Sequence, residues 1–181
     1  MLNLKPSSDS DRRTLNFLEK NPSLSQCLLD DCGPNLSQVA TIIEPVLNAS
    51  SRCEVSSFYI QAVSTGRTAF LTTNLPDDRA TQVTSVGASW LIGRNSTCAI
   101  SIKSSSISRC HAVIGHCPDR GFYIMDVGSS NGTFVNGRRL AALEQRLLND
   151  GDLVELSYTR FEFFISGFGV HKPVYQETQV G

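Results

Sequence analysis

Three short segments in the second half of the chain gather side chains able to hold an anion: LIGRN at 91–95, ISRCHA at 107–112 and GSSNGTFVNG at 128–137. Arg94 offers a guanidinium fork whose planar donors match phosphate or carboxylate in a bidentate way. Ser108 and Ser130 add hydroxyls, and the Asn131 amide both donates and accepts. None of the three segments contains a carboxylate. A cation among neutral donors suits a dianionic phosphate, and Asn131 could also hold the extended backbone that carries it.

The same region raises other chemistry. Cys110, His111, His116 and Cys117 spell C-H-x-x-x-x-H-C, a possible zinc pattern expected on a strand pair joined by a short turn. Neighbours along a strand point to opposite faces, so Cys110 and His111 converge poorly on one ion. For the same reason they make a poor nucleophile and base. No metal ligand, cofactor site or catalytic residue is therefore assigned, and His111 reads as a buried, hydrogen-bonded histidine. The chain is expected to bind rather than to catalyse.

The elements that must position these loops are strands. From about Phe58 onward the apolar period is two, in short runs rich in β-branched and aromatic residues (FYIQAV, TAFLTT, HAVIG, FYIMDV, FEFFI) separated by turn signals. This is the pattern of an all-β sandwich or barrel, whose end loops are the usual place for a binding site. Asn131-Gly132 and Asn136-Gly137 are tight-turn pairs, and the second predicts a two-residue hairpin of the primed type. Leu140–Leu148 reads as a loop with one turn of helix. Residues 1–57 read as helical, with Asp9 or Ser10 capping a first helix and Asn21-Pro22 opening a second. Gly33-Pro34 stops that one. Asn35 opens the clearest helix, whose stripe is Leu36, Val39, Ile43, Val46 and Leu47, and Pro45 predicts a kink or an early end. Residues 167–181 are polar and read as a flexible tail.

Bulk properties narrow the function classes. Hydrophobic content of 40% suffices for a core, and 18% charged residues argue against global disorder. A net charge of −1 with a pI near 6.3 gives no footprint for nucleic acid or an anionic membrane. No apolar run approaches the roughly 20 residues of a membrane span, and the start lacks an apolar signal core, so a cytoplasmic protein is expected. Six cysteines without a C-x-x-C pair read as reduced thiols.

Taken together, Gly93-Arg94, Ser108-x-x-His111, Asn131-Gly132-Thr133 and Asn136-Gly137, followed by the L-x-D-G-D-x-V-like run from Leu147 to Val154, resemble the forkhead-associated (FHA) domain signature. The resemblance covers about 66–166 and leaves the helical segment unexplained. It implies a mainly β fold: an FHA-like eleven-stranded β-sandwich over 58–166, preceded by the short helical segment. It further implies a phosphothreonine-dependent protein–protein interaction module that recognises phosphorylated partners in Ser/Thr kinase signalling. Arg94 and Ser108 would contact the phosphate, with Arg109 adding a further contact. Asn131 would bond the peptide backbone, with Ser130 beside it. Gly93, His111, Gly132, Asn136 and Gly137 would support the site. Two positions depart from the family pattern: Cys110 stands where a basic residue is common, and Ala99 where an acidic or polar one is. The alternative is a phospho-independent scaffold or adaptor that binds through the N-terminal helices or a sheet face. Self-association through the helices is a related expectation.

Overall fold

Helices come first: α1 (Asp9–Lys20), α2 (Pro22–Cys32) and α3 (Leu36–Asn48), then a 3-10 turn over Ala49–Arg52. The computed structural model describes residues 6–76 and 81–168. Most of the tail expected over 167–181 thus lies outside the described residues.

The cap of α1 is Ser8, one residue earlier than expected. Its hydroxyl accepts the Asp11 N–H at 3.1 Å while the Asp11 carboxylate accepts the Ser8 N–H at 3.1 Å, a reciprocal capping box. Asn21 precedes α2 as expected, but its side chain donates back to the Phe17 carbonyl at 2.8 Å and so closes α1 instead. Asn35 caps α3 by accepting from the Ser37 and Gln38 N–H groups. Pro45 does not end α3 early. The helix runs on to Asn48, because the burial of Ile42, Ile43 and Val46 holds the turn that lost a hydrogen bond.

The strands are β1 (Tyr59–Ser64), β2 (Ala69–Thr73), β3 (Gln82–Val83), β4 (Ser89–Gly93), β5 (Ile100–Ser101) and β6 (Ala112–Cys117). They continue with β7 (Gly121–Asp126), β8 (Thr133–Val135), β9 (Arg138–Arg139), β10 (Gln145–Leu147), β11 (Asp152–Leu156) and β12 (Thr159–Gly167). Two sheets result: a seven-stranded one in the order β3-β2-β1-β12-β11-β8-β9, and a five-stranded one in the order β10-β7-β6-β4-β5. The fold is thus mainly β, an FHA-like sandwich with helices at its N-terminus. The described residues form twelve strands, three of them (β3, β5 and β9) only two residues long. All neighbours are antiparallel except β1 with β12 and β4 with β5.

The core lies between the sheets. Phe122 on β7 meets Phe163 on β12 edge-on, ring centroids 6.0 Å apart, and Trp90 on β4 lies 6.4 Å from Phe122. All six residues of β1 are buried, because both faces of that strand are covered. Ile60 and Ala62 face the sandwich core, while Val63, with Phe70 of β2, packs under Leu18, Leu28, Val39 and Ile43 of the helices. The apolar stripe of α3 is therefore occupied by the chain's own sheet.

Residues 140–148 hold no turn of helix. Leu140 and Leu148 are buried anchors, Ala142 bridges to Asp126, and β10 pairs antiparallel with β7. Leu143, at φ +64°, cannot continue a right-handed helix.

Candidate functional site

Three loops meet at one end of the sandwich: 94–99 after β4, 102–111 between β5 and β6, and 127–132 between β7 and β8. The first two interlock through backbone. The Arg94 N–H donates to the Ser108 carbonyl at 2.9 Å, the Asn95 N–H to the Arg109 carbonyl at 3.2 Å, and the His111 N–H to the Ile92 carbonyl at 2.9 Å. This crossing needs a glycine at 93. A Cβ there would meet the Arg109 carbonyl oxygen at 2.2 Å and the Ser108 carbonyl oxygen at 3.0 Å.

His111 is fully buried and ties the second loop to the third. Its Nδ1 accepts the Ser108 N–H at 3.1 Å, and its Nε2 lies 3.0 Å from the Gly132 carbonyl. A ring nitrogen that accepts and another that faces an acceptor define the neutral Nε2–H tautomer. The Ser108 hydroxyl in turn accepts the Ser130 N–H at 3.0 Å.

Asp126, at the end of β7, organises the third loop, and its importance was not drawn from the sequence. The buried carboxylate accepts from the Gly128 N–H (2.8 Å), the Ser129 N–H (2.8 Å), the Ser129 hydroxyl (2.5 Å) and the Thr133 hydroxyl (2.7 Å). Burial pushes its pKa up, but the Ser129 hydroxyl and N–H, with Thr133 and Gly128, outweigh it and hold the carboxyl below its ordinary value. The signal was present: Asp followed by Gly and Ser at the second and third positions is an Asx-turn pattern.

The resulting open cleft, about 480 Å³, is lined by Arg94, Asn95, Ser108, Arg109, Cys110, Gly128 and Ser130. Arg94 and Arg109 are both exposed, and neither takes part in an ion pair among the described residues. Four of the five expected contact residues therefore stand together. Asn131 stands outside this lining. Its Nδ2 donates to the Ser106 carbonyl at 2.9 Å, and its Oδ1 makes no hydrogen bond among the described residues. Gly132 lies beneath the Arg139 side chain.

Asn136-Gly137 sits apart from the cleft. Its φ values of +49° and +80° and the pairing of Val135 with Arg138 make it a two-residue primed hairpin. The Asn136 amide adds a staple to β11: Nδ2 donates to Asp152 at 2.9 Å, and Oδ1 accepts the Leu153 N–H at 2.9 Å.

The C-H-x-x-x-x-H-C residues do not occupy a strand pair. They run along β6 and its lead-in, because the turn comes only after Cys117. His116 packs on the Phe122 ring at 4.6 Å, and burial lowers its pKa. A second cleft, about 350 Å³, involves Arg52, Glu54, Glu162 and Phe164. There the Glu162 carboxylate accepts the N–H groups of Glu54, Val55 and Ser56, so the chain's own carboxylate fills that anion position.

Residues 90–157 match the family model of the FHA domain. Over these residues the sandwich is similar to the FHA domain. Human kanadaptin is 32% identical over 87 residues, which are 42% of this chain and 12% of kanadaptin. Among solved structures, the FHA domain of an Arabidopsis thaliana hypothetical protein is 30% identical, covering 51% of this chain and 80% of that one with a TM-score of 0.44. The N-terminal FHA domain of S. cerevisiae Rad53p, in complex with a phosphothreonine peptide, is 25% identical, covering 41% of this chain and 70% of that one with a TM-score of 0.38. The FHA match begins at Trp90 on β4 and ends at Ser157 after β11, so it takes in all three loops of the cleft.

Proposed function

We propose that the chain is a non-enzymatic interaction module that recognises phosphothreonine in partner proteins already modified by a Ser/Thr kinase. The observation that carries this reading is the cleft itself: two exposed guanidinium groups and two hydroxyls, with no carboxylate among the lining residues. A dianionic phosphate is the group such a lining complements. Arg94 and Ser108 hold the phosphate and Arg109 adds a second cation. Asn131 accepts from the peptide backbone through its unengaged Oδ1, next to Ser130. Gly93, His111 and Gly132 keep the loops in place, and Asn136-Gly137 fixes the hairpin that follows.

Truncating one partner of a desolvated, charge-assisted contact costs about 2–5 kcal/mol. Arg94→Ala should then weaken binding at least about thirtyfold, at tenfold per 1.4 kcal/mol. A phosphothreonine peptide array probed with wild type and Arg94→Ala tests this. Equal binding by the two proteins would refute the reading.

The phospho-independent alternative has its own observation. Leu91, Val113 and Met125 stand in cross-strand register on the outer face of the five-stranded sheet, each partly exposed. Partner capture indifferent to phosphatase treatment but lost in Val113→Asp would favour that face.

A further inference from the structure

Two thiols meet at the cleft. Cys110 is exposed on its wall beside Arg94 and Arg109. Cys98 lies behind it, only 7% exposed, with its Sγ 3.3 Å from the Arg109 carbonyl oxygen. That carbonyl belongs to the peptide bond leading into Cys110, and its oxygen is about 3 Å from the next Cα across a trans peptide. The Cys98 sulfur therefore lies within about 6 Å of the Cys110 Cα, close enough for side-chain rotation and a small loop adjustment to reach bridging geometry. The loops are already joined there, since Cys98 N–H donates to Asn95, whose own N–H donates to Arg109. Burial first, and then the neighbouring Cys110, raise the Cys98 thiol, a second sign that the two groups sense each other.

We propose that Cys98 and Cys110 form a peroxide-oxidisable dithiol whose disulfide reshapes the cleft. The exposed Cys110 meets the oxidant. Its thiolate attacks one peroxide oxygen, the O–O bond breaks, hydroxide leaves, and a sulfenic acid remains on Cys110. The Cys98 sulfur then attacks that sulfur; the S–S bond forms, the S–O bond breaks, and the departing hydroxide takes a proton to become water. In total, two thiols and one hydrogen peroxide give one disulfide and two waters. A dithiol reductant returns both thiols by exchange.

The bridge removes the Cys98 thiol from the Arg109 carbonyl and draws the Cys110 side chain inward. The backbone it pulls on, Ser108–Arg109, is the stretch that holds the Arg94 and Asn95 N–H groups. Resting on the phosphothreonine reading, oxidation therefore lowers phosphopeptide affinity, and reduction restores it. A cytosolic disulfide of this kind is a transient sensor rather than a structural staple.

The experiment treats the reduced full chain with equimolar hydrogen peroxide, alkylates the remaining thiols, and maps the digest without reduction by mass spectrometry. A Cys98–Cys110 cross-link is expected as the main product. In Cys98→Ser the sulfenic acid should persist on Cys110 and be trapped by dimedone. Binding of a phosphothreonine peptide should fall at least about tenfold in oxidised wild type, recover with dithiothreitol, and stay within about twofold in peroxide-treated Cys98→Ser. A map with no Cys98–Cys110 cross-link, or with Cys117 as the partner, overturns the proposal. A cross-link that leaves affinity unchanged overturns the cleft effect. If the reduced chain binds no phosphothreonine peptide, the function proposed above fails, while the cross-link map still decides the dithiol.

Discussion

Replacing Gly93 by alanine is the sharpest probe of how the cleft is built. The added Cβ would sit 2.2 Å from the Arg109 carbonyl oxygen and 2.8 Å from its carbonyl carbon. Both are backbone atoms, so no flexible side chain can swing away; the two loops must separate by about an ångström. That separation strains two hydrogen bonds, Arg94 N–H to Ser108 and Asn95 N–H to Arg109. At about 1 kcal/mol each, their loss costs about 2 kcal/mol. Overpacking adds about 1–3 kcal/mol. The expected destabilisation is about 3–5 kcal/mol, which by the usual entropy scaling for a chain of this size lowers Tm by roughly 6–20 °C. Urea unfolding followed by tryptophan fluorescence measures it, since Trp90 is the lone tryptophan and is buried on the same strand. A change below about 1 kcal/mol with an unaltered m-value would refute the claim that Gly93 is a point of obligatory backbone contact.

Other outcomes follow from the same geometry. His111→Ala leaves the Ser108 N–H and the Gly132 carbonyl without their shared partner, and should cost about 2–4 kcal/mol while also weakening phosphopeptide binding; equilibrium unfolding and peptide titration check the two effects. Asp126→Asn should cost about 2 kcal/mol near neutral pH, because two charge-assisted acceptors become one neutral one. Since the folded Asp126 carboxyl is held below its ordinary value of 3.8, its contribution is complete above that value and is lost as pH falls through the lower folded one. The gap in urea midpoint between wild type and Asp126→Asn should therefore close only below about pH 4. Asn136→Ala should cost about 1–3 kcal/mol, from the left-handed backbone and the lost staple to β11. Asn136→Gly should recover only the backbone share, as paired denaturation curves would show.

Sequence reading succeeded where structure is local. Asn35 as a cap, Gly33 as a stop and Asn136-Gly137 as a primed turn depend on a few adjacent residues, and each stands where its residue type requires. The gathering of Arg94, Ser108 and Ser130 was legible because three strand-end loops carry side chains able to hold an anion, whereas Arg109 came only with the resemblance to the FHA signature. What stayed hidden depends on distant partners. Nothing in the alternation of β1 shows that Val63 faces helices rather than water, because a strand covered on both faces carries no polar side. The bond from the Asn131 Nδ2 to the Ser106 carbonyl reaches a neighbouring loop, a partner that no local pattern marks. The β10 strand was hidden because Gln145, Arg146 and Leu147 are all exposed and carry no alternation at all.

The parallel pairing of β1 with β12 sets the order in which this chain can mature on the ribosome. Tyr59 faces Glu162, so the first strand waits for roughly a hundred residues to be synthesised before its central neighbour exists. At translation rates of about 5–20 residues per second, that interval is of order 5–20 s. Every loop of the cleft emerges within it, before the seven-stranded sheet can close. An open strand edge in a nascent chain is a hazard for mispairing. The helices, made before the strands, are available to shelter one face of β1 and β2 during the wait, since Val63 and Phe70 pack beneath them.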